Sequence, residues 1–417
     1  MAKKLKLISL FSGCGGMDYG FEAAGFETTV ALEMDHACCK TLRKNRPWPV
    51  IEGDIFSVPT SHILSSAGLK RGTADLLIGG PPCQPFSKSG YWASGDSARL
   101  KDPRANTLTA YMRVVEEARP RAFVLENVTG LAYANKDEGL QYLLSQITAI
   151  NRRARTNYRA HHAVLKAAEF GVPQLRERFF LVAARDGSAF EFPKPLFCDP
   201  ATVEETGSLF EPPPLPAYRT AWDALGDLTV FPEAENLMMS GRWAELLPSI
   251  PEGGNYLWHT DRGGGLPLFG WRRRFWNFLL KLAKDRPSWT IQAQPGPSVG
   301  PFHWDNRRLS IRELCRLQTF PDDIEITGNH RVAHKQIGNA VPSLLAEVIG
   351  RKVRTELLGA SALRRPLRLL PPDRAPAPAP NPIEPVPTKY VKLAGLQSAH
   401  PGTGKGYGAN ARLRASA

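Results

Sequence analysis

Leu5-Lys6-Leu7-Ile8-Ser9-Leu10-Phe11-Ser12-Gly13-Cys14-Gly15-Gly16 is the stretch that decides the fold. Its first half is apolar enough to read as a buried strand. Its glycines read as a tight turn opening a helix that reaches about Ala24. Glycine there lets the backbone approach a ligand closely. The pattern repeats outward along the chain. Thr28 to Leu32 reads as a strand ending at Glu33, and Val50-Ile51 leads to Asp54. Ala74 to Ile78 runs into Gly79-Gly80-Pro81-Pro82, Ala122 to Leu125 ends at Glu126, and Arg178 to Ala183 is a later strand. Strands separated by helical segments predict an α/β domain with a doubly wound, mainly parallel sheet of Rossmann-like type. Such sheets bind ligands beyond the carboxyl ends of their strands, where these polar residues fall.

The remaining composition sets the organisation. The chain has 417 residues, 53 lysines and arginines against 40 acidic residues, and a net charge of +13. That balance points to a polyanionic partner, nucleic acid first. The six cysteines, Cys14, Cys38, Cys39, Cys83, Cys198 and Cys315, form no CxxC pair and no zinc spacing, so no metal is expected. Scattered cysteines and the lack of a long apolar run predict a reduced, cytoplasmic, nucleoid-associated protein without a membrane span. Residues 1–185 read as the catalytic and cofactor-binding domain. Residues 186–325, rich in Pro, Gly and Trp, read as a second, smaller irregular domain, which the family resemblance given below implies to be a target-recognition domain with a support helix. Residues 326–358 read as a return segment completing the catalytic domain. Residues 359–417, with Ala375-Pro376-Ala377-Pro378 and few apolar side chains, read as a disordered tail. The tail's nine basic residues stand against Asp373 and Glu384, which predicts that it strengthens non-specific DNA binding.

The most specific chemistry lies in Gly79-Gly80-Pro81-Pro82-Cys83-Gln84-Pro85-Phe86-Ser87. Two glycines and two prolines immobilise the chain before a cysteine. A buried structural cysteine needs no such frame, whereas a nucleophile needs a fixed position. The glycine turn and the carboxylate of Glu33 together suit a nucleoside cofactor, with the carboxylate accepting from ribose hydroxyls.

In this order the chain resembles the DNA cytosine-5 methyltransferase family, of the bacterial restriction-modification type, from Leu7 to about Ile349. Phe11 to Gly16 is similar to the family's cofactor loop. Glu33-Met34-Asp35 and Gly53-Asp54-Ile55 resemble the segments that hold the ribose and adenine. Pro82-Cys83-Gln84 resembles the nucleophile motif and Glu126-Asn127-Val128 the catalytic glutamate motif. Gln174-Leu175-Arg176-Glu177-Arg178 resembles the target-base pocket motif. Arg312 to Gln318 with Phe320-Pro321, and then Gln336 to Pro342, resemble the last two motifs. Ser249-Ile250-Pro251-Glu252-Gly253-Gly254-Asn255 is similar to a segment recurring in the family's recognition domains.

The resemblance implies methyl transfer from S-adenosylmethionine to cytosine C5 in a specific double-stranded DNA sequence. Its implied catalytic residues are Cys83, Glu126, Arg176 and Arg178. The implied cofactor residues are Phe11, Gly13, Gly15, Gly16, Glu33, Met34, Asp54, Ile55, Pro81, Asn339 and Val341. The implied DNA contacts are Ser87, Arg104, Gln174, Arg272, Arg273 and Arg274. Met34 stands where some members carry a tryptophan over the adenine. Ser87 to Arg104 is expected to be a loop closing over DNA. Trp222, Trp243, Trp258, Trp271, Trp276 and Trp289 are expected to be mostly core of the second domain, with one or two reaching DNA. A stacked base cannot meet Cys83, so the target must be flipped out. The setting implied is protection of DNA from a partner restriction endonuclease that is not stably bound, by a monomeric enzyme. The competing readings are an orphan or regulatory DNA methyltransferase and a catalytically silent DNA-binding homologue. A tRNA cytosine methyltransferase is a further alternative, against which stands the lack of a Cys-Phe-Thr signature in the recognition region.

Overall fold

The computed structural model describes residues 4–82, 106–132, 138–202, 215–228, 236–270, 276–374 and 376–394. Its centre is a seven-stranded sheet in the order β3-β2-β1-β4-β5-β8-β6. The strands are β1 (Leu5–Leu10), β2 (Phe26–Glu33), β3 (Val50–Glu52), β4 (Leu76–Gly79), β5 (Ala122–Asn127), β6 (Arg159–Lys166) and β8 (Glu177–Ala184). Strands β1 to β5 run parallel, and β8 enters antiparallel between β5 and β6. Leu7, Ile8, Leu77 and Val124 lie buried because helices cover both faces, which is why these strands are continuous apolar runs. The connections leave β1 in opposite directions, so the crevice between the ends of β1 and β4 is the topological switch point.

One helical layer holds α3 (Thr60–Ser66), α4 (Asn106–Ala118) and α5 (Glu138–Ala154). Their Ile63, Val114, Leu143 and Ile147 pack on Ile8, Leu10 and Val30. The other layer pairs α1 (Gly16–Ala23) with a helix from the far end of the chain, α9 (Ser343–Lys352). Gly20 makes that approach possible: a Cβ there would lie 2.2 Å from the Ser343 carbonyl oxygen. Between β2 and β3 lies α2 (His36–Asn45), capped by Asp35. Its Thr41 hydroxyl donates to Gln336 Oε1 in α8 (His330–Asn339) at 2.7 Å, tying the late segment to the first half.

A second body is built from turns. Strand β7 (Gln174–Leu175) pairs in parallel with β9 (Ser288–Trp289). Two short helices, α6 (Ala221–Leu225) and α7 (Ile311–Leu317), both start in capping boxes, from Thr220 and Ser310. Trp243, Leu246, Tyr256, Phe269, Phe278 and Phe302 form one cluster. A second cluster joins Ala221, Leu282, Trp304, Leu314 and Ile337 to Cys14 and Tyr19 of the first half. No helix among the described residues is long and apolar enough to cross a membrane.

Residues 359–374 and 376–394, read from the sequence as a disordered tail, lie against the body. Leu367, Leu369 and Leu370 pack against the α1–α9 layer. The backbone amides of Arg368 and Leu369 donate to Glu347, and that of Arg374 to Asp223. Asn381 bonds Glu252, and α10 (Thr388–Val391) buries Tyr390 with its ring stacked on Trp243. Carboxylates from the body satisfy amides that no helix or sheet would as this proline-rich stretch crosses the surface. Two of its charges are paired with the body: Arg374 with Asp227 at 2.7 Å and Lys389 with Glu245 at 2.5 Å. Lys405, Arg412 and Arg414 lie outside the described residues.

Candidate active site

The end of β1 turns through three left-handed residues, Phe11 (φ 53°), Gly13 (φ 54°) and Gly15 (φ 90°). A left-handed phenylalanine is strained, and such strain persists where the surroundings fix it, often at binding sites. Gly13 faces open space, since an added Cβ would meet nothing within 4 Å. Gly16 is the opposite case: a Cβ would lie 2.5 Å from the Val341 carbonyl oxygen. The Glu33 carboxylate, at the end of β2, knits the crevice together. It accepts from Gly13 N at 2.7 Å and from Met34 N and Asp35 N at 2.8 Å each.

The other sequence-named cofactor residues surround this turn. Gly53 N donates to the Glu33 carbonyl, which brings Asp54 and Ile55 alongside. Asp54 is exposed and caps Phe56 N, while Ile55 is buried. Met34 and Phe56, at neighbouring strand ends, are 67% and 52% exposed, which is unusual for large apolar side chains and suits a flat apolar ligand. Asn339, exposed, ends α8, and Val341, buried, lies on Gly16. Pro81 is held by its carbonyl, which accepts from Asn127 Nδ2 at 3.1 Å.

Beyond β4 the chain passes against β5. At Gly79 a Cβ would collide with the Tyr111 ring and the Leu10 carbonyl, and at Gly80 it would lie 2.9 Å from Glu126 Oε2. Only glycine lets the segment leading to Cys83 press onto that carboxyl. Pro82 is fixed in turn by Thr107, whose hydroxyl donates to its carbonyl at 3.0 Å. Cys83 itself, with Ser87, Arg104, Arg272, Arg273 and Arg274, lies outside the described residues, as does the expected closing loop.

Buried Glu126 pairs with half-buried Arg178, whose Nε lies 2.8 Å from Glu126 Oε1. Burial pushes the Glu126 carboxyl upward, and the charges of Arg178 and Arg176 offset only part of that. A carboxyl so placed can hold its proton and donate it as a hydrogen bond. Burial likewise works against the Arg178 charge, and Glu126 offsets part of that.

Two residues of the same motif take other positions than expected. Arg176 is fully buried, and its guanidinium donates to the carbonyls of Gly338 and Ala340, both at 3.0 Å, and of Ile291 at 3.3 Å. It straps the motif to α8, with its charge still close enough to act on Glu126. Gln174, expected at the DNA, is also fully buried. Its amide donates to Gln318 Oε1 and the Leu317 carbonyl, and its oxygen accepts from Ile291 N. It therefore stands behind the pocket wall and does not reach a surface where DNA could lie. The sequence reading assigned no role to Asn127 and Gln318, although both fall inside segments it quoted. A polar side chain within an otherwise apolar strand or helix face is the signal that would have found them.

Known proteins share this chain's sequence family and fold. The model of the C-5 cytosine-specific DNA methylase family matches residues 5–355. The Type II methyltransferase M.SacI of Streptomyces achromogenes is 41% identical over 86% of this chain and 94% of its own. The Type II methyltransferase M.AquIA of Picosynechococcus is 46% identical over 54% of this chain and 88% of its own. Among solved structures, the methyltransferase EhMeth of Entamoeba histolytica superposes with a TM-score of 0.56 at 15% identity, over 85% of this chain and 99% of its own, a likeness of fold.

Proposed function

The chain belongs to the C-5 cytosine-specific DNA methylase family, and on that premise we propose how its own residues methylate cytosine in double-stranded DNA. The observation that carries the reading is the Glu126–Arg178 pair pressed against the Gly80-Pro81-Pro82 frame that leads into Cys83.

The crevice fits S-adenosylmethionine. Gly13 leaves space at the switch point, and Glu33 still has lone-pair capacity for ribose hydroxyls after taking three amides. Met34 and Phe56 offer apolar surface to an adenine, with Asp54, Ile55, Pro81, Asn339 and Val341 around them. When bound, S-adenosylmethionine supplies an electrophilic methyl group to C5.

Cytosine C5 is a poor nucleophile until C6 is saturated. The Cys83 thiolate forms a bond to C6, and the C5–C6 double-bond electrons become available at C5. Glu126, protonated, donates to N3 and spreads the negative charge that addition develops. Arg178 steadies the base carbonyl, and its charge favours the Cys83 thiolate. Arg176 and Gln174 hold this wall in place from behind. After alkylation the C5 proton leaves to water, the Cys83–C6 bond breaks, and 5-methylcytosine remains. The base must be flipped out for Cys83 to reach C6.

Beyond the chemistry, the reading has the enzyme act as a monomer in the bacterial cytoplasm, marking one sequence against a partner restriction endonuclease. Ser87, Arg104 and Arg272 to Arg274 are its proposed DNA contacts. Incubating the purified chain with labelled S-adenosylmethionine and plasmid DNA tests it. Label in 5-methylcytosine is expected after digestion to nucleosides; label in N6-methyladenine, or none, would overturn it.

A further inference from the structure

Beside the pocket lies an exposed aromatic ridge that the mechanism does not use. Trp276 is 44% exposed and meets Trp289 edge to face, with ring centroids 5.3 Å apart and planes at 70°. Trp289 pairs across the β7–β9 ladder with Leu175, itself 37% exposed. Single exposed apolar residues are ordinary on a protein surface, but a contiguous pair of tryptophans and a leucine at the edge of a site is not.

The ridge is coupled to the catalytic wall. The Thr290 hydroxyl donates to the Leu175 carbonyl at 2.6 Å, and Arg176 donates to Ile291. Arg178, paired with Glu126, follows Leu175 by three residues, so their Cα atoms lie at most roughly 11 Å apart. The ridge is also held rigidly. Buried Asn255 donates to the Trp276 carbonyl at 2.8 Å, and its own oxygen accepts from Leu257 N. Gly254 accepts from Lys281 N, Gly253 N donates to Leu282, and buried Glu252 pairs with Lys284 at 2.6 Å. The Ser249–Asn255 segment that stood out in the sequence thus acts as a buckle presenting Trp276 to solvent.

We propose that Trp276, backed by Trp289 and Leu175, is a stacking platform for a nucleobase flanking the target cytosine. The proposal rests on the reading of the site as a DNA cytosine methyltransferase. Flipping one base leaves its neighbour with a bare π-face beside Glu126 and Arg178. A tryptophan pair tied through Leu175 to the strand that carries Arg178 offers a ring to cover that face, and the net charge of +13 favours the duplex as occupant over a second basic copy of the chain.

The test uses the full chain, Trp276→Ala and Trp276→Phe, and short duplexes carrying the mapped methylation site. In a series of these duplexes, single abasic positions step across the bases around the cytosine. For the wild type, one flanking abasic position should weaken binding roughly ten- to hundred-fold, the range of one base–aromatic stack. Trp276→Ala should weaken the intact duplex by a similar factor, become insensitive to that abasic position, and keep its S-adenosylmethionine affinity. Trp276→Phe should restore most of the affinity and the positional sensitivity, and it carries the test if the alanine variant folds poorly. Unchanged DNA affinity in a folded alanine variant, equal losses at every abasic position, or a change in oligomeric state alone would overturn the platform. If the wild type methylates no cytosine, the underlying reading falls and takes the platform with it; a wild type that methylates beside an indifferent Trp276→Ala sinks the platform only.

Discussion

Asp18 sits in the first turn of α1, completely buried, and neither carboxylate oxygen has a hydrogen-bond partner. Burial pushes its pKa from 3.8 to about 7, and the nearby Ser9 hydroxyl offsets little of that. The folded state therefore binds a proton that the unfolded state releases, and stability must fall as pH rises from about 4 to about 7 before levelling. Each pKa unit corresponds to about 1.4 kcal/mol, so the loss between about pH 5 and about pH 8 amounts to about 2–3 kcal/mol. Asp18→Asn keeps the shape and removes the titration. Urea unfolding of both proteins across that range, compared as a difference, isolates the one carboxyl. The variant should gain on the wild type with rising pH until about pH 7 and then level, by about 2–3 kcal/mol in all. A difference that stays flat, or that grows toward acid, would refute the assignment of a buried neutral carboxyl at Asp18.

The other predictions follow from single contacts. Glu126→Gln should slow single-turnover methylation roughly a hundredfold or more while leaving S-adenosylmethionine affinity unchanged, measured by rapid quench and titration. In the wild type the rate should decline at the alkaline side as Glu126, held high by burial, finally ionises; that limb should vanish in the variant. Gly20→Ala forces a Cβ onto the Ser343 carbonyl and should cost about 1–3 kcal/mol by denaturant unfolding, weakening cofactor binding as α1 shifts. Tyr390→Ala removes a buried ring stacked on Trp243 and a hydroxyl donating to the Arg242 carbonyl at 2.6 Å. It should cost about 3 kcal/mol and expose the tail from residue 359 onward to limited proteolysis.

What was legible followed from burial. Strands β1, β2, β4 and β5 are covered on both faces, so they appear as apolar runs, and the residues ending them fall together at the switch point. Strand β6 escaped notice because it lies at the sheet edge, where most of its side chains are half-buried or exposed and the apolar signal is diluted. The contacts of the tail were hidden for a different reason. They rest on isolated leucines, one tyrosine and amides accepted by Glu347, Asp223 and Glu252, and periodicity cannot register such contacts. At the site, residue types were readable but directions were not. Arg176 turns to the Gly338 and Ala340 carbonyls, partners supplied from far along the chain by α8 and its end, so nothing near Arg176 in sequence announces its strut role. Asn255 shows the same limit, since its bond to the Trp276 carbonyl crosses a segment without regular periodicity.

The central claim is that Cys83 bonds to cytosine C6 and is released only when the C5 proton departs. Replacing that proton with fluorine blocks the release without blocking the addition. The purified protein, S-adenosylmethionine and duplex DNA substituted with 5-fluorocytosine should therefore give a denaturation-resistant protein–DNA adduct whose cross-link maps by mass spectrometry to Cys83, and Cys83→Ser should give none. An active wild type that forms no adduct, or one that cross-links through another residue, would contradict the account.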